Sequence, residues 1–352
     1  MPFSMFGIEF APLRIPLERR KQTAAVLYYW TEFFLTGPLM IMFLLYLYTT
    51  RFYHLAYLYL IWYIYDFQSF RKSDRRSEWL RKLNIWKHFA NYFPIKLVKT
   101  AEISPDKNYI FACHPHGYLS VSHFANFMTD GTYFSDKYPD IKPHLMTLNF
   151  QFLMPLHREI ILFSGKKELP NKTKWILYIF RFLKKEKGNA VAIVIGGARE
   201  VLDAIPNKMI LILSRRKGFI RLAIKTGIKF ITLPTRASLV PVISFGENDI
   251  FEPTIRENSW LQKKIQEFFI KLFTFPLPIF FGRGIFQYTF GLLPFRRKIT
   301  TVVGKPIDVL QNENPSKNDI DDLHQRYHQE LIKLFEEHKA KYSDSDTILK
   351  IR

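Results

Sequence analysis

Apolar and polar positions divide this chain into two unequal regions. Ala24 to Tyr48 is an apolar run of 25 residues with a single charge, Glu32. At 1.5 Å per residue it predicts a helix of about 37 Å, enough for a hydrocarbon core of roughly 30 Å, with Gly37-Pro38 kinking it. A second run, Phe52 to Tyr65, reaches only about 21 Å. Basic residues flank the pair on both outer sides, Arg14, Arg19, Arg20 and Lys21 before it and Arg71, Lys72, Arg75 and Arg76 after it. Both flanks are therefore expected on the cytosolic side, with the two runs forming a membrane hairpin or re-entrant wedge. The alternative is a pair of buried helices in a soluble domain.

From about Arg71 the pattern changes to short β-type runs alternating with helical stretches, the signature of an α/β domain. Strands are expected at Asn108–Cys113, Ala190–Ile195, Met209–Leu213 and Leu239–Ser244, and helices at Leu119–Met128, Ala198–Ala204 and Phe219–Thr226. Ser316 is a cap candidate for a tail helix with an apolar stripe of Ile320, Leu323, Tyr327, Leu331 and Leu334. The expected organisation is a cytosolic arm and membrane hairpin over 1–70 and a catalytic domain over 71–352. Residues 266–295 stand apart: nine Phe lie among prolines and glycines that forbid a continuous spanning helix. This segment is read as a membrane-proximal lid or acyl-chain channel, with ordinary core packing as the alternative.

Composition narrows the partners. The net charge of +20 favours anionic ones, such as acidic headgroups or phosphorylated carriers. Nucleic acid is disfavoured, because the aromatics form apolar runs and not a basic stacking surface. One cysteine, Cys113, excludes an intramolecular disulfide framework and fits a cytosol-facing domain.

The chemistry concentrates at His114-Pro115-His116-Gly117, two imidazoles at a forced turn after a strand. Either histidine is a candidate base for a lipid hydroxyl, with His116 favoured because Gly117 opens its approach. The backbone N–H groups that start the following helix are candidate oxyanion donors. A metal pair and a purely structural pair are the rivals, but no further ligand cluster supports a metal. Gly196-Gly197 end a strand with room for a ligand, and Glu200 follows with a carboxylate that could orient a histidine or hydroxyl. Arg215, Arg216 and Lys217 at another strand exit suit the phosphates of a nucleotide-bearing carrier, or are a solvated charge run. Glu247 is a second candidate carboxylate. There is no GxSxG elbow, no P-loop and no GxGxxG after a strand.

On these residues the chain resembles the diacylglycerol acyltransferase type 2 family, which includes the monoacylglycerol acyltransferases. The resemblance covers nearly the whole chain, through Tyr92–Glu102, HPHG, Lys142–Leu148, Gly196–Ala204, Arg216–Ala223, Leu239–Phe251 and Gly282–Arg297. It implies a glycerolipid-acyltransferase-like mixed sheet with flanking helices, anchored by the N-terminal hairpin. It implies an enzyme of the endoplasmic-reticulum membrane and lipid droplet, facing the cytosol, that esterifies a mono- or diacylglycerol hydroxyl with fatty acyl-CoA as co-substrate and no cofactor. Self-association is compatible with it. The implied catalytic pair is His114 and His116, and Gly117 belongs to the substrate site. The distantly similar glycerophospholipid acyltransferases place an aspartate five positions after the first histidine. Here that position is Leu119, so Glu200 or Glu247 would take its role. A wax- or retinyl-ester synthase on the same scaffold and a non-catalytic lipid-droplet protein are the alternatives. Two departures stand out: Ile228–Arg236 is an insertion before a buried strand, and the hairpin's Phe-Leu-x-Leu element is only approximated by Phe43–Leu47.

Overall fold

The structure, a computed structural model, describes residues 3–12, 14–67, 75–169, 179–180, 182–183, 186–227, 237–253, 264, 268, 280–343 and 347–352. The insertion 228–236 and most of 266–279 lie outside the described residues.

Seven strands form the central sheet: β1 (Lys96–Lys99), β2 (Asn108–His114), β3 (Lys142–Leu148), β4 (Lys167–Leu169), β5 (Asn189–Val194), β6 (Ala237–Phe245) and β7 (Thr300–Val303). Their spatial order is β1-β7-β6-β2-β5-β3-β4. Five strands from β6 to β4 run parallel, while β7 pairs antiparallel with β6 and parallel with β1. The expected mixed sheet is therefore present. β2, β5 and β6 are continuous apolar runs because helices cover both faces.

Strand parity sorts β2 between the two layers. Tyr109, Phe111 and Cys113 pack with α1 (Leu17–Phe34), α4 (Asn84–Tyr92) and α5 (Val121–His123). Ile110 and Ala112 pack with α7 (Gly218–Thr226) and α8 (Lys317–Tyr342). The tail helix follows its predicted stripe and starts with a capping box between Ser316 and Asp319. The helix expected over Leu119–Met128 is three α-helical residues that continue as a π turn, Phe124–Met128. The strand expected near Met209 does form (Lys208–Leu211), but outside the main sheet, where it pairs with a C-terminal strand, Ile348–Ile351, that the pattern did not reveal.

The N-terminal run also differs from expectation. It is two helices, α1 and α2 (Thr36–Tyr48), bent by 60° at Leu35, and no single described helix is long and apolar enough to cross a membrane. Pro38 explains the break. It has no N–H for the Phe34 carbonyl four residues back, and its ring would collide with that carbonyl. The hairpin is instead α2 with α3 (Tyr53–Asp66), while the end of α1 lies in the protein core through Ala25, Val26 and Tyr29.

Candidate active site

A cavity of about 120 Å³ opens at the carboxyl ends of β2, β3 and β5, the usual ligand position in parallel sheets. Its walls include His116 and Ser120 after β2, Thr147 at the end of β3, Gly197 after β5, and Tyr29 and Phe33 from α1. It is smaller than the roughly 300–1,000 Å³ that encloses a drug-sized ligand. A ligand of that size would therefore extend beyond it.

The two histidines of the turn part company. His114, the last residue of β2, falls on the α8 side by parity and is completely buried. Its Nε2 lies 2.9 Å from Tyr327 Oη, and burial pushes its pKa down to about 3. It does not line the cavity. His116 does line it. The peptide His114–Pro115 is cis, and past it the chain returns toward α1. His116 Nδ1 lies 2.9 Å from the carbonyl oxygen of Gly117. A carbonyl only accepts, so Nδ1 carries the proton and Nε2 keeps its lone pair. Burial lowers the pKa of this imidazole, and the Gly117 hydrogen bond opposes the shift. The ring is therefore neutral at pH 7.

Among the described residues neither glutamate hydrogen-bonds a histidine ring; each accepts from backbone N–H groups. Glu200 Oε2 accepts the backbone N–H of His116 at 2.7 Å, and its Oε1 accepts that of Ile212 at 2.9 Å. Glu247 accepts the N–H groups of Val121 (2.6 Å) and Ser122 (3.0 Å). Those are the helix-start donors expected to hold an oxyanion, and they are already occupied. The His116 ring is held through Nδ1 by a backbone carbonyl. Both carboxylates instead hold the turn, and burial raises each to a pKa of about 7.

Glycine is required at two points of this frame. Gly117 has φ of +58°, and an added Cβ would come within 2.7 Å of Glu247 Cγ. At Gly196 a Cβ would lie 2.1 Å from the Glu200 carboxyl. Gly197 lines the cavity directly. The three cations do not act as one free cluster. Arg216 Nη2 donates to the Gly196 carbonyl at 3.1 Å, Lys217 pairs with Asp321 of α8, and Arg215 is exposed. None of the three lines the cavity.

Sequence reasoning missed Lys166. It is one basic residue among 51, and only the packing of β3 and the following segment around it reveals that it is buried inside the cavity wall. Its Nζ lies 5.9 Å from the Phe124 ring centroid and 3.4 Å from Gln151 Oε1, which already accepts from Thr147 Oγ1 at 2.8 Å. Burial pushes its pKa down to about 8, against an upward pull from Glu32. It remains mostly cationic at pH 7. Among the described residues no group of three His, Cys, Asp or Glu side chains converges as a metal site.

A neutral imidazole and a buried ammonium facing one small cavity can move a proton from a hydroxyl and stabilise a new oxyanion. The model of the family described as "Diacylglycerol acyltransferase" matches residues 45–352. The chain belongs to this family. It is 44% identical over 346 residues to bovine (Bos taurus) 2-acylglycerol O-acyltransferase 1, covering 97% of this chain and 99% of that protein. It is 39% identical to human (Homo sapiens) diacylglycerol O-acyltransferase 2, covering 95% and 83% respectively. Among solved structures, the 1-acyl-sn-glycerophosphate acyltransferase PlsC of Thermotoga maritima aligns over 93% of this chain and 100% of its own, with 13% identity and a TM-score of 0.42.

Proposed function

We propose that this chain is an acyl-CoA-dependent O-acyltransferase that esterifies the free hydroxyl of a mono- or diacylglycerol in triacylglycerol synthesis, with His116 as the base. The observation that carries the assignment of the base is the His116 ring, fixed through Nδ1 on the Gly117 carbonyl with its other nitrogen unprotonated at the cavity. Nε2 accepts the proton of the acceptor hydroxyl as that oxygen attacks the thioester carbonyl. The carbonyl oxygen becomes an oxyanion, and Lys166 supplies the nearby positive charge. Collapse breaks the C–S bond, and the departing thiolate takes the proton back from the imidazolium. The products are an ester and free coenzyme A, with no acyl-enzyme.

The reading also requires a membrane. The α2–α3 hairpin exposes Met42, Leu45, Leu58, Ile61 and Ile64 to more than three-fifths of their area, a burden that a bilayer relieves. At 13 and 14 residues the two helices reach only about 20 Å each, so they enter one leaflet as a re-entrant wedge. The endoplasmic-reticulum membrane, with the sheet domain on the cytosolic side, is the location that fits.

Microsomes carrying the chain, given labelled oleoyl-CoA and a panel of monoacylglycerol, diacylglycerol, long-chain alcohol and retinol, test this function. Product is expected in di- or triacylglycerol. His116→Ala should lower turnover by about 10²–10⁴, the usual contribution of a positioned base, while His114→Ala should mainly reduce the amount of folded protein. Glyceride product that survives in His116→Ala would remove the base. Product confined to wax or retinyl esters would change the acceptor, and none with any acceptor would point to a silent membrane protein.

A further inference from the structure

On the other flank of α1 lies a second and larger cavity, of about 1200 Å³. α1 turns Tyr29 and Phe33 toward the His116 cavity and Thr23, Ala24 and Leu27 toward this one, so the helix separates the two. Its remaining walls are the N-terminal β-hairpin (Phe3–Met5 with Ile8–Phe10) and the segment 283–296. Backbone hydrogen bonds join these walls, from Ala11 N–H to Phe286 O (2.8 Å) and from Tyr288 N–H to Glu9 O (2.7 Å).

The lining is apolar apart from Thr23, Tyr288 and four arginines, Arg19, Arg20, Arg283 and Arg296, and it contains no Asp or Glu. Arg283 is 92% buried, with its guanidinium 4.2 Å from the Tyr288 ring centroid and only its Nε engaged, on Gly284 O at 3.1 Å. Arg296 donates to Gln22 Oε1 (2.6 Å), Thr23 Oγ1 (3.0 Å) and Arg19 O (3.1 Å). Burial, together with the Arg283 and Arg19 charges, brings its pKa down to about 10. Among the described residues none of the four arginines forms an ion pair with a carboxylate. Arg283 is buried, while Arg296 is half-buried and Arg19 and Arg20 are exposed at the mouth. A buried cation is normally paired, so Arg283 lacks its counter-charge.

We propose that this cavity binds one anionic phospholipid, its phosphate held by Arg283 and Arg19 and its acyl chains lying along Leu27, Ile285 and Phe286, at a site separate from acyl transfer. The guanidinium fork matches phosphate oxygens two at a time. Several cations without an acid exceed what a single carboxylate would balance. The volume exceeds the roughly 1,000 Å³ upper range of drug-sized sites, as a lipid with two chains requires. Phe286 is also 79% exposed at the rim, where a bilayer lipid would enter.

Native mass spectrometry of the detergent-solubilised full chain tests the site, with dioleoylphosphatidate, dioleoylphosphatidylcholine and oleate as separate probes. Wild type is expected to retain one phosphatidate with about a tenfold or greater preference over phosphatidylcholine. Arg19→Gln/Arg283→Gln should lose that preference by removing the charge. Ala24→Trp should lose it by filling the cavity with every charge in place. Both variants should keep acyl transfer in phosphatidylcholine vesicles, because neither touches the His116 cavity. Unchanged phosphatidate binding in both variants overturns the proposal, as does oleate bound as tightly as phosphatidate. A matching loss of acyl transfer in Ala24→Trp overturns it too, by making the cavity part of the donor's path. Binding is read apart from turnover, so an error in the reaction assignment would not pass for an error here.

Discussion

Lys166 is enclosed in the cavity wall, where Gln151 Oε1, the Phe124 ring and the charge of Glu32 offset part of its desolvation. Under the proposed function an arriving oxyanion would offset more. Its pKa near 8 means that the ammonium is present at neutral pH and is lost as pH rises through 8. His116 imposes the opposite limit: its lowered pKa means that the base is protonated, and lost, only as pH falls below the ordinary imidazole value of about 6.5. Turnover should therefore show an acid limb below pH 6.5 and an alkaline limb near pH 8. Lys166→Met conserves volume and removes the charge. It is expected to lower kcat by about 10²–10³, as loss of an oxyanion donor does, with little change in KM and with the alkaline limb abolished. Lys166→Arg should restore part of the rate and move the limb upward. Unaltered kcat in Lys166→Met would separate this residue from the chemistry. None of this was legible from the chain, because burial of residue 166 is decided by contacts with Phe124 and Gln151, far away in sequence or across a turn. The HPHG turn was legible, but the division of labour within it was not. It depends on which face of β2 carries the cavity, and the acceptor for His116 Nδ1 is a backbone atom that no residue type encodes.

At the scale of elements, charges inside apolar runs mark where helices dock. Glu32, the lone acid of the first run, meets His157 at 2.6 Å and fixes α1 on the helix α6 (His157–Phe163). Asp66 closes α3 against Arg158 Nη2 at 2.8 Å and is also paired with Arg75. Arg158 is fully buried and lies beneath Trp62 and Tyr63 of α3, with ring-centroid distances of 6.0 and 5.5 Å. Removing one partner of a buried pair strands the other, at a cost of about 3–5 kcal/mol. Arg158→Met is therefore expected to destabilise the chain by an amount of that order and to open α3 to protease. Limited proteolysis and thermal unfolding in detergent are the readouts. Asp66→Leu/Arg158→Met should recover much of the loss, and a single variant as resistant as wild type would deny the docking role. Hydropathy found both apolar runs but not their joints, since a 25-residue window hides the effect of Pro38 on the turn before it. The sheet was easier to see. β2, β5 and β6 announce themselves as unbroken apolar runs between breakers, whereas β3 carries Lys142 and His144 and hides its period.

Across the whole molecule, the hairpin and the His116 cavity are neighbours through one segment. Gln151 lines the cavity, and two residues on, the Leu153 carbonyl accepts from Tyr63 Oη of α3 at 3.0 Å. Leu156 N–H donates to Tyr59 Oη at 3.1 Å, and a Cβ on Gly37 would lie 2.8 Å from Met154 Cβ, so α2 passes directly over this segment. Phe150, Leu153 and Leu156 are each about two-fifths exposed. Under the proposed function these three apolar side chains, between the hairpin and the cavity, are the candidate route for the acceptor. The donor, under the same proposal, carries the phosphates of coenzyme A, which a net charge of +20 attracts. The two substrates should therefore respond differently to a charge placed on the path. Leu153→Asp is expected to raise KM for diacylglycerol in vesicles by about tenfold, equivalent to about 1.4 kcal/mol of lost apolar contact, with kcat and KM for acyl-CoA changed less than threefold. An equal rise for both substrates would mean that donor and acceptor share one entrance. No change for either would place the acceptor's route elsewhere and leave the hairpin as an anchor alone.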